Sequence, residues 1–307
     1  MRDAFLTFMA DDGIVFQPRA TNAKQLWTAR PESKATLIWE PSFASISSAG
    51  DLGYTTGPWE FRPPGDSTGA SPPPDQITYG HFISVWRKQS DGVWKVAVDI
   101  GVVHDRPARG LGQETYVAGP SGTRNELGAA PDIAALERKL SETATKSGWA
   151  KAIESMASDE LRLNRARDRS PFKRRDAARR ALSKDKLAVT WHPEGTGYAS
   201  SRDLGYAYGV AATRPQKSKS AAPDSESVSP CLETRGEGGV EAVYGGGESV
   251  AEGQALGRAT VPGDSLLLLG SSGRHRRRRR RRRAMLHGLP RDELPAPRST
   301  LSFPSAN

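Results

Sequence analysis

The chain has 307 residues, 36% of them hydrophobic, with 31 Gly, 22 Pro and one Cys, a size that holds two domains with ordinary cores. The single cysteine, Cys231, excludes an intrachain disulfide framework and a multi-cysteine zinc site. The net charge of +9 is local: residues 271–307 carry 11 Arg against Asp292 and Glu293, which leaves 33 basic and 33 acidic residues in 1–270.

Residues 2–10 read as the end of a helix with Phe5, Phe8 and Met9 on one face, broken at Asp12-Gly13. Ile14-Val15-Phe16 predicts a short strand stopped at Pro18, and Asn22 suits the cap of a short helix carrying Leu26 and Trp27. Strand-like runs follow at 35–39, 43–47 and 52–61, then a Pro/Gly/Ser loop at 62–76. Two strands, 77–88 and 93–103, are joined across Ser90-Asp91-Gly92, a hairpin signal. Residues 105–130 read as a linker. Helix 131–147 starts at Pro131 and carries the stripe Ile133, Leu136, Leu140, Ala144. A second helix at 149–157, a strand at 160–164, a basic helix at 173–182 and strands at 187–191 and 204–212 complete the periodic part. Beyond Pro215 no periodicity is sustained, and residues 215–307 are expected to be disordered.

The chain repeats itself. Asp51-Leu52-Gly53-Tyr54 returns as Asp203-Leu204-Gly205-Tyr206, and at the same offset of 152 Trp39-x-Pro41 returns as Trp191-x-Pro193 and Gly57 as Gly209. Met9-Ala10-Asp11-Asp12 is loosely echoed by Ala157-Ser158-Asp159-Glu160 at an offset near 148. Identities held in register argue for two copies of one domain, at 1–104 and 131–214. The first copy has no counterpart of helix 131–147. The second has none of the hairpin 77–103.

Helices, a short strand, a short helix and a long antiparallel meander, in that order, resemble the nuclear transport factor 2-like cone. Within it, Gly50-Asp51-Leu52-Gly53-Tyr54-Thr55-Thr56-Gly57 is similar to SnoaL-like and ketosteroid-isomerase-like domains, as is the ending Val85-Trp86-Arg87-Lys88, Asp91-Gly92-Val93-Trp94-Lys95. The resemblance, strongest to a bacterial domain of unknown function in that superfamily, implies an α+β fold. Its curved antiparallel sheet packs on helices and encloses a small apolar pocket. It also implies isomerases, lyases or non-catalytic binders, so the fold does not settle activity.

Chemistry in such a pocket needs carboxylates or imidazoles with displaced pKa values. The hairpin register decides which residues meet. A three-residue turn puts Tyr79, His81 and Ile83 on one face with Asp99 and Gly101, and His81 diagonal to Asp99. A two-residue Asp-Gly turn puts His81 and Asp99 on opposite faces. The first register makes Tyr79, His81 and Asp99 the candidate catalytic group, able to orient a ligand or move a proton; otherwise they bond one another or meet solvent. Tyr54, Trp59 and Trp86 are candidate ligand-binding aromatics that also suit a core. The recurring Asp51 and Asp203 read as turn residues bonding their own backbone. No His or Cys stands at metal-ligand spacing, so neither metal nor cofactor is expected. The expected partner is a small organic molecule. The alternative is a non-catalytic protein that self-associates through the sheet.

The run Arg276–Arg283 would hold phosphate backbones without reading bases, since no aromatic residues interleave, and a nucleic-acid partner is not the expectation. Arginine codons of the CGN class read out of phase give Ala or Pro codons. Gly238 to Tyr244, where a Gly-x-Trp-Lys ending is due, permits Trp-Lys one base later. The tail is therefore expected to be a shifted reading frame. Met1-Arg2-Asp3 opens no secretory signal, and Leu266–Leu269 falls far short of the ~20 residues of a membrane span, so a soluble cytoplasmic chain is expected.

Overall fold

The computed structural model describes residues 1–16, 19–65, 71–107, 111–112, 115–119, 133–159, 161–164, 172–184 and 187–215, with strand segments at 225–227, 231–235, 239–243 and 264–270. In the first half, α1 (Arg2–Phe8) runs directly into β1 (Met9–Phe16), which pairs with β2 (Ala20–Asn22). Asn22 then caps α2 (Ala23–Ala29), its side chain accepting from the Gln25 N–H at 3.0 Å, as the sequence predicts. Asn22→Ala should therefore lower stability by about 1 kcal/mol, seen as an earlier urea midpoint at unchanged slope.

Next come β3 (Thr36–Trp39), β4 (Phe43–Ile46) and the long β5 (Leu52–Arg62), then β6 (Thr78–Lys88), β7 (Trp94–His104) and β8 (Val117–Ala118). They form an eight-stranded sheet in the order β2-β1-β7-β6-β5-β4-β8, with β3 also pairing β5. All neighbours are antiparallel except β1 with β7 and β4 with β8.

The second half contains α3 (Ile133–Ser147), α4 (Trp149–Met156), β9 (Arg162–Leu163), β10 (Phe172–Lys173), α5 (Arg175–Leu182), β11 (Leu187–Tyr198) and β12 (Leu204–Pro215). Ile133, Leu140 and Ala144 of the predicted stripe are buried with Trp149, Ile153 and Leu182 in one core. Four further strands are described: β13 (Ser225–Ser227), β14 (Cys231–Arg235), β15 (Gly239–Val243) and β16 (Asp264–Gly270). β16 pairs with β12 from Leu204 to Val210, the side on which β6 pairs with β5 in the first half. All four segments lie in the stretch beyond Pro215 where the sequence sustains no periodicity. Their strands complete edges that β12 and each other would leave unpaired. The run Arg276–Arg283 lies outside the described residues.

The hairpin β6–β7 departs from both expected registers. The turn is closed as in the first: Lys88 faces Trp94, Trp86 faces Val96, and Gly92 takes φ +83°. A bulge then inserts Ala97 on β7, so that Val85 faces Val98, Ser84 faces Asp99 and His81 faces Val102. One extra residue turns the remainder of β7 over. His81 and Asp99 therefore lie on opposite faces, and the predicted pair does not form.

One face of the sheet carries α1 and α2, where Phe5 stacks on Trp27 at 4.1 Å above Met9, Val15, Ala23 and Val96. The other face meets the second half. Phe43, Leu52, Tyr54, Ile83, Val85, Val98 and Ile100 share a buried cluster with Ala199, Leu204 and Tyr206. The contact is reciprocal. The Ser48 N–H donates to Asp203 at 2.8 Å, and the Ser200 N–H donates to Asp51 at 2.8 Å. Ser48 and Ser200, like Asp51 and Asp203, are counterparts at the offset of 152. Partial burial opposes ionisation of Asp51, yet hydrogen bonds from Ser200 and Ser47 outweigh it and hold its pKa below the ordinary value.

Candidate functional site

The six candidate residues fall on two faces of the sheet, and the bulge decides the face of Asp99. Tyr54, Tyr79 and His81 point toward the second half; Trp59, Trp86 and Asp99 lie on the helix side. Tyr54 is 1% exposed and belongs to the shared core, so its aromatic ring is a packing element.

Tyr79 and His81 are both buried, and their companion is His104, which lies diagonally across from His81. The Nδ1 of His81 is 2.7 Å from Nε2 of His104, whose Nδ1 is 2.7 Å from the Asp105 carbonyl oxygen. That carbonyl can only accept, so His104 carries its proton on Nδ1 and accepts from His81 at Nε2 when both rings are neutral. Sequence reasoning misses His104 because it stands one residue past the expected end of its strand. Arg106 lies 5.9 Å from the Tyr79 ring, and Glu60, which faces Tyr79 across β5, is paired with Arg62 at 2.8 Å.

The helix side presents a different chemistry. Asp99 keeps part of its surface accessible, but its carboxylate accepts from a buried hydroxyl, Ser84 Oγ, at 2.5 Å. Loss of hydration outweighs that hydrogen bond and pushes the Asp99 pKa up to about 6. On the same face and one strand further, Trp59 lies over Gly80, where a Cβ would come within 2.2 Å of its ring. Its Nε1 reaches within 3.3 Å of where Gly101 would carry a Cβ, and it has no hydrogen-bond partner among the described residues. The absence of side chains at 80 and 101 is what lets the indole lie flat on β6 and β7. Trp39, on the same face, is 50% exposed and meets Phe82 edge-on at 5.4 Å. Trp86 donates its indole N–H to Thr55 Oγ1 at 3.0 Å and meets Phe8 at 6.5 Å. By strand parity Asp99 and Ser84 thus share the helix-side face with Trp39, Trp59, Phe82 and Trp86. Sequence reasoning also misses Ser84, which faces Asp99 in the register of the two-residue turn, the one that holds beyond the bulge.

Among the described residues no group of three or more His, Cys, Asp or Glu could hold a metal ion, and no helix is long and apolar enough to cross a membrane.

No protein-family model and no curated protein matches the chain. Solved structures do. A ketosteroid isomerase-like protein from Erwinia carotovora is 15% identical, over 33% of this chain and 80% of its own, at a TM-score of 0.26. A nuclear transport factor 2-like protein of unknown function from Shewanella oneidensis is 14% identical, over 33% and 81%, at 0.26. A nuclear transport factor 2-like superfamily protein from Salmonella enterica is 20% identical, over 34% and 76%, at 0.24. The chain resembles nuclear transport factor 2-like proteins. The likeness concerns fold alone and covers about a third of the chain.

Proposed function

We propose that the chain is a small-molecule-binding protein whose ligand lies on the helix side of the first sheet, against Asp99. One observation carries this reading: a partly accessible carboxyl that accepts from the buried Ser84 hydroxyl at 2.5 Å, in surroundings whose loss of hydration pushes its pKa up to about 6. Such a group is present in both protonation states near neutral pH. It can accept a proton from a bound ligand or donate one to it, the step that isomerase or lyase chemistry without metal requires. On the same face the half-exposed Trp39 offers apolar area beside Phe82 and Trp86, and Trp59 holds a buried indole N–H with no hydrogen-bond partner among the described residues.

The test is a thermal-shift screen of the full chain against small metabolites. A ligand present at 100 times its Kd adds about 2.7 kcal/mol of stability and a clear rise in Tm. The shift should shrink in Asp99→Asn and in Trp59→Phe. A ligand whose shift survives both substitutions would place binding elsewhere and sink the proposal.

A second reading is supported by a separate observation, the burial of each half's sheet face against the other. On it, the chain is two copies of one domain acting as a non-catalytic pairing module. A screen without a single ligand, together with partners captured through the exposed β8 edge, would favour it.

A further inference from the structure

The contacts between the halves are reciprocal but not all alike. The lock of Ser48 on Asp203 and Ser200 on Asp51 joins counterparts of identical chemistry, so it would form equally well between two first halves or two second halves. Two flanking contacts differ. Phe16, at the end of β1, meets the Tyr208 ring edge-on at 5.9 Å. At the offset near 148, the counterpart of Phe16 is Asn164, after β9; at 152, the counterpart of Tyr208 is Thr56. Those two residues also meet, Asn164 Nδ2 donating to Thr56 Oγ1 at 3.4 Å, with both residues buried.

We propose that the pairs Phe16–Tyr208 and Asn164–Thr56 are the specificity determinants that make a first half pair with a second half and not with another copy of itself. In the observed pairing, aromatic meets aromatic and polar meets polar. In a pairing of like halves by the same geometry, Phe16 would lie on the Thr56 hydroxyl and buried Asn164 on the Tyr208 ring, leaving an amide without its partner. The occupant this surface selects is therefore the second half of a chain, its own or that of a second copy. The identical Asp51 and Asp203 locks supply strength without choice.

Double substitution Phe16→Asn with Tyr208→Thr gives both flanking contacts the same Asn–Thr chemistry and removes the discrimination. The reporter is the full chain carrying Ala49→Cys and Cys231→Ser. Residue 49 sits at the contact, its N–H donating to Ser201 Oγ at 3.2 Å, so two first halves pairing bring the two introduced thiols together. Mild oxidation should give covalent dimers at least about tenfold more abundant in the double variant than in the reporter alone. A tenfold change corresponds to about 1.4 kcal/mol in pairing preference. In a thermal double-mutant cycle on the same chains, the two single substitutions should cost more than the pair. Equal dimer yields, or single effects that simply add, would overturn the proposal. If the double variant loses its cooperative melt, Thr56→Val with Asn164→Leu makes both contacts apolar and is read in the same two ways.

Discussion

Gly57→Ala should destabilise the protein by about 3 kcal/mol or more, and Gly209→Ala should do so to a comparable degree, beyond the ordinary range for overpacking. A Cβ on Gly57 would stand 1.9 Å from the Glu40 carbonyl oxygen and 2.8 Å from the Ser42 nitrogen. A Cβ on Gly209 would stand 2.1 Å from the His192 carbonyl oxygen and 2.7 Å from the Pro193 Cα. All four obstacles are backbone, so no side chain can swing aside, and relief requires β5 or β12 to leave its neighbour. Glu40 and His192 are themselves counterparts at the offset of 152. The same crossing of chains is built twice with unrelated side chains, so position 40/192 contributes its carbonyl rather than its chemistry. Gly50 is the control. It takes φ +65° with nothing within 4 Å of its Cβ site, so Gly50→Ala incurs only the left-handed penalty, about 1–2 kcal/mol. Urea unfolding of the three variants decides the point. A Gly57→Ala midpoint no lower than that of Gly50→Ala would show that the crossing relaxes easily.

The residues that recur at the offset of 152 stand out in the sequence because they serve geometry that admits few substitutes. Gly57 and Gly209 are fixed by close backbone approach, and Leu52, Tyr54, Leu204 and Tyr206 by burial in the shared core. The Asn22 cap and the stripe Ile133, Leu140, Ala144 are legible for a related reason, since cap and stripe are settled within one turn or one helix face. What Asp51 and Asp203 do is not legible. In the sequence each reads as bonding its own turn. Ser47 does donate to Asp51 at 2.9 Å, but the partners that join the halves are some 150 residues away, and no local pattern announces them.

The candidate site escapes the sequence for a sharper reason. The run Trp94 to His104 alternates well enough that neither expected register is contradicted, and nothing in it marks Ala97 as the extra residue. Either register alone is right for part of the hairpin: the first near the turn, the second beyond the bulge. A single inserted residue dissolves the His81/Asp99 pair and creates two others, His81 with His104 and Ser84 with Asp99. Sheet chemistry is decided by parity, and a bulge changes parity without changing composition.

Asp99→Asn should stabilise the protein at neutral pH, an outcome opposite to that of most substitutions at a buried polar site. The ionised carboxylate of Asp99 is disfavoured by burial, which raises its pKa from 3.8 to about 6. Because the folded value lies above the unfolded one, the folded state binds the proton more tightly, and stability falls as pH rises from about 4 to about 6. By about pH 7 the loss is complete. At about 1.36 kcal/mol per unit it amounts to at most about 3 kcal/mol, less where solvent reaches the group. Asparagine keeps an acceptor for the Ser84 hydroxyl and carries no charge to desolvate. The Asn variant should thus melt higher than the parent at pH 7.5, by several degrees, and the difference should close as the pH is lowered through 6 toward 4. A difference that stays constant with pH would mean that Asp99 is not the group responsible. A variant less stable at pH 7.5 would mean that the carboxylate is better solvated than its surroundings indicate. On the proposed function the two fates of the substitution, higher stability and a weaker ligand-induced shift, belong together: the carboxyl that costs the fold stability is the one that would meet the bound molecule.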